Sequence, residues 1–103
     1  MSQWIPLCNV DDCPPGECCE FTVSGRVVAL FHVDENFFAL DGVCPHQGGP
    51  LGKGSLSGCI VTCPWHQWRF DVTNGENQIT PHIVQPRLPL RIEEDTVLVD
   101  LEK

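Results

Sequence analysis

Two short motifs in the middle of the chain combine cysteine and histidine at the spacing of metal ligands. The first begins at Cys44 and reads Cys-Pro-His, so His46 follows two residues later. The second begins at Cys63 and reads Cys-Pro-Trp-His, which places His66 three residues later. Thiolate and imidazole are ligands that soft and borderline metals select. The four side chains therefore predict a metal centre held between two loops.

The residues around these motifs favour irregular backbone rather than strands. Pro45 and Pro64 follow the two cysteines directly and keep the chain out of a regular hydrogen-bond ladder. Gly48 and Gly49 come just after the first motif and permit a close backbone approach. The stretch from Gly42 to Gly58 is a long loop for a small domain, and such loops usually carry function.

The two motifs resemble those of Rieske-type 2Fe-2S proteins, whose signature is C-x-H, a spacer of about this length, and C-x2-H. The resemblance extends from the strand 37–40 through Val-Leu-Val-Asp-Leu at 97–101. It implies that Cys44 and Cys63 bind one iron of a 2Fe-2S cluster. It also implies that His46 and His66 bind the other iron through Nδ1, which leaves each Nε2 near solvent.

A structural zinc site of two cysteines and two histidines is the alternative for the same four side chains. Zinc fingers usually space a cysteine pair and then a histidine pair, whereas each loop here supplies one of each. This alternation favours a cluster with one sulfur-bound and one nitrogen-bound iron. Cys59 could compete as a zinc ligand, but its alternation with Val61 predicts packing in the core. His32 lies in an apolar strand and is expected to be a core or edge histidine.

Four positions differ from the high-potential respiratory relatives, which carry a loop disulfide and hydroxyl groups that hydrogen-bond the cluster sulfurs. Gly49 and Trp65 stand where those relatives have the extra cysteines, and Trp68 and Phe70 stand where they have the hydroxyls. Because removing donors to sulfur lowers the reduction potential, the chain resembles the soluble ferredoxin branch. Gln67 replaces the glycine that is common after the second histidine.

The family also lays a proline-containing third loop over the cluster. The segment that matches it is Thr80-Pro81-His82, at the start of a span from Pro81 to Pro89 that contains three prolines and has little strand character. We therefore expect a proline lid at about 80–82, with Pro81 over the cluster. In this interpretation His82 would modulate the cluster.

Apolar residues recur at every second position or in short β-branched runs. No stretch of ten or more residues has the apolar spacing of an amphipathic helix. This pattern predicts an all-β, Rieske-like antiparallel sandwich or barrel of small sheets with a two-loop cluster-binding subdomain. Ser24-Gly25 and Asp34-Glu35-Asn36 are predicted hairpin turns. The predicted strands are 5–9, 18–24, 26–33, 37–41, 59–62, 68–72, 88–93 and 96–101.

Length and charge limit what the chain can do. We interpret its 103 residues as one domain, residues 1–103, with the cluster-binding subdomain at about 42–71. The net charge of -8 has the wrong sign for binding nucleic acid or an anionic membrane, and no apolar run is long enough for a membrane span. Residues 1–7 show no secretory signal pattern, so the expected location is the cytoplasm.

The seven cysteines are more consistent with metal or redox chemistry than with a disulfide framework, because their number is odd and a secretory signal is not evident. In a reducing compartment the remaining thiols are expected to be free and to pack as small apolar groups. Strand alternation places Cys19 on the apolar face and predicts that Cys18 is exposed. The thiols outside the motifs are Cys8, Cys13, Cys18, Cys19 and Cys59.

The resemblance implies a one-electron carrier that passes electrons from a flavin-type reductase to a terminal oxygenase or related redox enzyme. The alternative is the small subunit of an NAD(P)H-dependent nitrite reductase, with that enzyme's large subunit as partner. A zinc-stabilised interaction module is a third hypothesis. Nothing in the sequence resembles a substrate pocket with its own acid, base or nucleophile. We therefore expect no catalytic activity from the chain alone and no small-molecule substrate.

Charge and apolar residues also predict a docking surface. Only Asp71 is acidic between 44 and 71, where Lys53 and Arg69 also lie, while the other 13 acidic residues fall outside this segment. We therefore expect an acidic body that attracts a basic partner, and a nearly uncharged tip that makes the contact. The apolar residues expected at the tip are Leu51, Pro64, Trp65 and Trp68.

Overall fold

The fold is built from short antiparallel strands, as the sequence predicts. The structure is a computed structural model and describes residues 4–43, 49–65, 67–80 and 82–101. Within these ranges every predicted strand is present, with ends that agree to within two residues. The strands are β1 Trp4–Asn9, β2 Cys18–Val23, β3 Arg26–Val33, β4 Asn36–Asp41, β5 Ser55–Ser57, β6 Ile60–Thr62, β7 Arg69–Asp71, β8 Leu90–Glu93 and β9 Thr96–Asp100.

The strands form three-stranded antiparallel sheets with the orders β2-β3-β4, β1-β9-β8 and β5-β6-β7. Both predicted hairpins are confirmed, because β2 pairs with β3 and β3 pairs with β4. Ser24 and Gly25 both adopt positive φ, 52° and 78°, as the central residues of a tight hairpin turn require. Asp34 also has a positive φ, 55°, at the second turn.

The β2-β3-β4 sheet is buried on both faces. Ala29 and Phe31 of β3 belong to one buried core, which we call the shared core. Val28 and Leu30 point the other way into a second buried core, the base core. Because neighbouring side chains of a strand point to opposite faces, this arrangement explains why β3 is a continuous apolar run rather than an alternating one.

The β5-β6-β7 sheet lies in the part of the chain that was predicted to be the cluster-binding subdomain. Strand β5 was not predicted, because Leu56 is its one apolar residue and has serine on either side. It forms by pairing with β6, with Leu56 opposite Val61. The preceding turn is a short 3-10 helix, Leu51–Lys53, and a second one follows β1 at Val10–Asp12. No helix in the described ranges is long and apolar enough to cross a membrane.

The prediction that Cys18 is exposed is wrong. Cys18 is half-buried and packs against the shared core, and its Sγ lies 3.1 Å from the carbonyl oxygen of Gly54, to which it donates a hydrogen bond. Cys19 packs against the base core on the opposite face. Alternation separates the two thiols as expected, but the second face is covered by the chain around Gly54 instead of solvent.

Candidate metal centre

The second motif lies at the end of a β-hairpin. Strands β6 and β7 are paired, with Thr62 opposite Arg69, and the chain between them runs through the Cys-Pro-Trp-His motif. The N–H of Cys63 donates a 2.7 Å hydrogen bond to the carbonyl oxygen of Trp68, which closes the loop at its base. Cys63 is fully buried. His66 lies outside the described residues, so the structure gives only the cysteine of this motif.

Gln67 has a strained backbone at the corner after the second histidine. Its φ is 55°, in the left-handed region that residues with a side chain rarely adopt. Glycine adopts this conformation without a steric penalty, which accounts for the glycine that the Rieske resemblance predicts at this corner. The departure at Gln67 therefore keeps the corner conformation and adds local strain.

The first motif begins where β4 has ended. Val43 forms an antiparallel bridge with Pro50, and the N–H of Leu51 donates to the carbonyl oxygen of Gly42 at 3.0 Å. These contacts draw together the two ends of the loop. We call the four residues involved, Gly42, Val43, Pro50 and Leu51, the neck of the first loop. Cys44 and His46 lie within the loop and outside the described residues.

The end of the first loop contacts the cysteine of the second. A Cβ built on Gly49 would lie 2.8 Å from Sγ of Cys63 and 2.9 Å from the Cβ of Trp65, closer than real Cβ atoms approach such neighbours. Glycine is thus required at this position, and an additional cysteine there has no room. The two motif-bearing loops meet at the buried sulfur of Cys63, as a two-loop clamp requires.

These contacts fit a cluster bound between the loops. Cys63 offers a buried sulfur atom with the backbone at the end of the first loop packed against it. The described residues contain no group of three or more histidine, cysteine, aspartate or glutamate side chains arranged to hold a metal ion. Three of the four predicted ligands fall outside those residues, so the complete ligand set stays a prediction.

A third segment, residues 75–86, packs beside the second loop and contains the predicted lid. The side-chain oxygen of Asn77 accepts hydrogen bonds from the N–H groups of Ile79 and Thr80, each 2.9 Å long. The N–H of Ile83 donates to the carbonyl oxygen of Thr80 at 2.9 Å, which forms a turn across the predicted lid. Pro81 lies outside the described residues, and the side chain of His82 is exposed.

The predicted contact surface needs one correction. Trp65 is 49% exposed and Pro64 is exposed, so both can face a partner. Trp68 is half-buried and packs against the shared core. Leu51 is fully buried in that core, so its predicted place at the tip is wrong. The first turn after the loop neck folds Leu51 inward against β2 and β3, which apolar periodicity in a loop cannot show.

Further apolar side chains are exposed near the same loops and were not predicted. Val43 at the neck is 47% exposed, Ile79 is 80% exposed and Val84 is 50% exposed. Ile79 and Val84 flank the predicted lid, and Trp68, Arg69 and Asn77 line a small cavity of about 100 Å³ beside Ile79. The available sequence signal for Ile79 and Val84 was their position in a stretch rich in proline, where a regular strand cannot bury them.

Asn77 and Gln85 were also not singled out from the sequence. Both are buried polar side chains in the third segment, with exposures of 5% and 1%. A polar residue such as Gln85 between Val84 and Pro86, in a span of low polarity, was the available signal. Such groups are costly to bury unless they are hydrogen-bonded.

Outside the predicted ligands, the thiols behave as packing groups. Cys59 is half-buried and packs against the shared core, which confirms its predicted role. Burial is the largest cause that raises the pKa of Cys8, to about 11, and it also raises the pKa of Cys13 and of Cys18. His32 is half-buried in β3, the central strand of its sheet, and so does not lie at a sheet edge. Its Nδ1 lies 2.7 Å from the carbonyl oxygen of Cys13 and its ring stacks on Phe37.

A larger groove lies away from the loops. Its volume is about 510 Å³, and it opens between β4 and the chain that leads into β8. None of its lining residues belongs to the two motif-bearing loops, so it is separate from the candidate metal centre. Its lining residues are Phe37, Phe38, Ala39, Val72, Arg87, Leu88, Pro89 and Leu90.

Comparisons with known proteins agree with this geometry. The family described as Rieske [2Fe-2S] domain matches residues 3–94. The chain is 35% identical over 104 residues to the ferredoxin component of the naphthalene 1,2-dioxygenase/salicylate 5-hydroxylase systems of a Ralstonia species. That match covers 99% of this chain and 100% of the relative.

Solved structures show the same fold. The structure of a complex of reduced oxygenase and oxidized ferredoxin in carbazole 1,9a-dioxygenase contains a chain that superposes with a TM-score of 0.87 at 27% identity, covering 97% of this chain and 94% of that one. A putative NADH-dependent nitrite reductase small subunit from Mycobacterium tuberculosis has a TM-score of 0.88 at 24% identity, with coverage of 100% and 98%.

The zinc alternative loses its support at this point, because the match to the cluster-binding family spans both motifs. The resemblance inferred from the motifs is confirmed, as is the all-β Rieske fold. This chain belongs to the Rieske [2Fe-2S] domain family and carries one 2Fe-2S cluster.

Proposed function

We propose that this protein is a single-electron carrier that takes electrons from a flavin-type reductase and delivers them to a terminal oxygenase. The observation that carries the proposal is the contact of the first loop with the buried Sγ of Cys63, within a chain that matches an oxygenase ferredoxin component over its whole length. A 2Fe-2S cluster supplies one-electron chemistry when bound. Cys44, His46, Cys63 and His66 would hold it, and the burial of Cys63 would keep that ligand away from solvent.

We assign Cys44 and Cys63 to one iron and His46 and His66 to the other. The closed hairpin loop at Cys63 and the neck of the loop that contains Cys44 support a cluster held between two loops. Replacement of two thiolates by two neutral imidazoles makes the bound cluster less negative, so it accepts an electron more readily. The histidine side of the cluster is the side that we expect a partner to meet.

The reduction potential lies near the low end of the Rieske range. Phe70 is fully buried and Trp68 is packed beside it, with ring centroids 6.4 Å apart, where high-potential relatives have hydroxyl donors. Gly49 leaves no room for a loop disulfide. We expect a midpoint potential of about -150 mV by voltammetry, because hydroxyl donors to the cluster sulfurs raise the potential and neither Trp68 nor Phe70 has a hydroxyl group. A midpoint well above zero at neutral pH would contradict this assignment.

Docking uses the tip, with long-range attraction supplied by the acidic body. Trp65 and Pro64 are exposed on the second loop, and Val43 and Ile79 add apolar surface beside it. Aromatic and apolar side chains are typical of the centre of a protein interface. The net charge of -8 favours a basic partner surface. A cytoplasmic location suits the unpaired thiols of the described chain, which a reducing compartment preserves.

The nitrite reductase alternative has weaker support. The likeness to the nitrite reductase small subunit is at 24% identity and shows the fold alone. The likeness to the oxygenase ferredoxin component is at 35% identity over the whole relative. The acceptor distinguishes the two, since a reduced carrier of the oxygenase type should be reoxidised rapidly by a terminal oxygenase and slowly by a nitrite reductase large subunit.

Metal analysis followed by stopped-flow kinetics tests this proposal. The purified protein should contain about two iron and two acid-labile sulfide ions per chain. Rapid reoxidation of the reduced protein by an oxygenase from a ring-hydroxylating system should follow. Stoichiometric zinc without sulfide, in protein expressed with iron available, would contradict the proposal at its first step, and reoxidation only by the nitrite reductase subunit would favour the alternative.

A further inference from the structure

Gln85 is a buried amide that joins the third segment to the neck of the first loop. Its side chain is 1% exposed. Its Nε2 donates hydrogen bonds to the carbonyl oxygens of Asp41 and of Val43, the latter at 2.8 Å. Asp41 and Val43 lie three residues and one residue before Cys44, so one nitrogen holds the backbone on the approach to the first motif.

The backbone around Gln85 makes the connection rigid. The N–H of Gln85 donates to the carbonyl oxygen of Gly75 at 2.7 Å, and the N–H of Asp41 donates to that of Pro86 at 2.9 Å. A Cβ on Gly75 would lie 2.2 Å from the carbonyl oxygen of Gln85, and Gly75 has a φ of 80°, so the turn closes directly on this residue. Gln85 is therefore fixed on both sides before its side chain reaches the neck.

The chemistry of the contact requires an amide donor. Two carbonyl oxygens from residues two apart face the same side chain, and a single NH2 group has two N–H bonds to offer them. An apolar side chain of the same length would form neither hydrogen bond. A carboxylate has no N–H to donate and would place a negatively charged oxygen against the two carbonyl oxygens. A buried carbonyl that loses its partner costs free energy comparable to a lost hydrogen bond.

We propose that Gln85 is a positioning residue that fixes the neck of the first loop and thereby the position of Cys44 and His46 relative to Cys63. The proposal rests on the ligand assignment of the proposed function. Two other contacts of the neck, between Val43 and Pro50 and between Gly42 and Leu51, tie the loop to itself. The N–H of Gly42 donates to the carbonyl oxygen of Val27 at 2.9 Å and ties the neck to β3. The Gln85 amide ties Val43, the residue next to Cys44, to the third segment, so it helps to set where the neck lies and not only its width.

The test compares Gln85→Met with Gln78→Met in the holoprotein. Methionine is unbranched and of similar length but has no donor, and Gln78 is an exposed glutamine of the same segment. For Gln85→Met we expect altered g values in the electron paramagnetic resonance spectrum of the reduced cluster. We also expect release of iron to a chelator to accelerate by at least about fivefold, because both buried hydrogen bonds of the amide are lost. Gln78→Met should match the wild type in both.

A structural role alone would give a different result. Lower thermal stability of Gln85→Met with unchanged g values and unchanged iron release would overturn the proposal. Gln85→Asn keeps the amide but shortens its reach, so it should move the same two readouts in the same direction and by less. This variant decides the question if Gln85→Met does not fold, since wild-type values for a folded Gln85→Asn holoprotein would overturn the proposal as well. Iron and sulfide content of the wild type tests the ligand assignment separately.

Discussion

The two ends of the molecule are stabilised in different ways. The base, strands β1–β4, β8 and β9, has its own buried core, in which Val28, Leu30 and Val97 take part. The cluster end, the described residues between 42 and 85, has no separate core among those residues. Its buried apolar side chains, such as Leu51 and Val61, pack in the shared core against Ala29, Phe31 and Leu40 of the base.

This difference assigns separate tasks to the two ends. Long ladders in the base, such as the six residue pairs between β2 and β3, give a rigid sheet whose second face is available for packing. Strands β5 to β7 have three residues each, and the loops beside them are positioned by buried polar side chains such as Asn77 and Gln85. Stability therefore comes mainly from the base, and site geometry comes from contacts that a few residues make across the cluster end.

Removal of a predicted ligand should have the largest effect, and it should be confined to the cluster end. Cys63→Ala is expected to abolish cluster binding, because the buried Sγ has no neighbouring thiol to replace it at this loop. Visible absorption and iron content measure the loss. Cys44→Ala, His46→Ala and His66→Ala should have the same result. Cys59→Ala is the matched control and should keep the cluster; loss of colour in Cys59→Ala would show that the wrong cysteine has been assigned.

Two neighbouring residues of β3 allow the base core and the shared core to be tested separately. Leu30 and Phe31 are both fully buried in β3 and point to opposite faces. Each change to alanine should lower the free energy of unfolding by about 3 kcal/mol or more, as measured by denaturant titration. Phe31→Ala should also alter the paramagnetic resonance spectrum of the reduced cluster, because its face supports the cluster end. An altered spectrum in Leu30→Ala with a normal one in Phe31→Ala would reverse the roles of the two cores.

The acidic turn between β8 and β9 tests whether the base steers a partner that the tip binds. Glu93, Glu94 and Asp95 are exposed there. Reversal of the three charges to lysine should slow association with a basic partner by about tenfold at low ionic strength and weaken its salt dependence, because exposed charges attract over about 10 Å at 0.1 M salt. The electron-transfer step after docking should not change. Stopped-flow rates that are insensitive to salt, or faster association of the variant, would exclude steering by the base.

The smallest expected effect concerns the thiols of the base at alkaline pH. Burial raises the pKa of Cys8 from its ordinary value of 9.0 to about 11. Between these pH values the thiol has lost its proton in the unfolded state but keeps it in the folded state. The contribution of Cys8 to the free energy of unfolding is therefore complete below about pH 9 and declines as pH rises toward 11. Cys8→Ser should show a smaller loss of unfolding free energy than the wild type between pH 8 and 10.5. An equal loss in both would assign the decline to other groups.

The sequence predicted the base more completely than the cluster end, for a physical reason. Alternation and turn residues are local signals, and they located β3 and its two hairpins because each strand has enough apolar residues to show its period. Strand β5 escaped prediction because a three-residue strand with one leucine has no period. Cys18 and Leu51 were placed on the surface because the contacts that bury them come from the distant packing of the 51–54 turn on β2.

The candidate site shows the same division. The Cys-Pro-His and Cys-Pro-Trp-His motifs are specific enough to indicate the family and the cofactor from the sequence alone. The contact between Gly49 and Cys63 was foreseen only as a general need for glycine, and the hydrogen bonds of Gln85 were not foreseen at all. These contacts join residues that are far apart in the chain, and no local pattern encodes which carbonyl oxygens a buried amide will meet.

Mössbauer spectroscopy of the oxidised, 57Fe-enriched protein tests the central claim most directly, namely that the two cysteines bind one iron of the cluster and the two histidines bind the other. An iron with two thiolates differs chemically from an iron with two imidazoles, although both share the bridging sulfides. We expect two quadrupole doublets of equal area. A single doublet from two equivalent irons would contradict it.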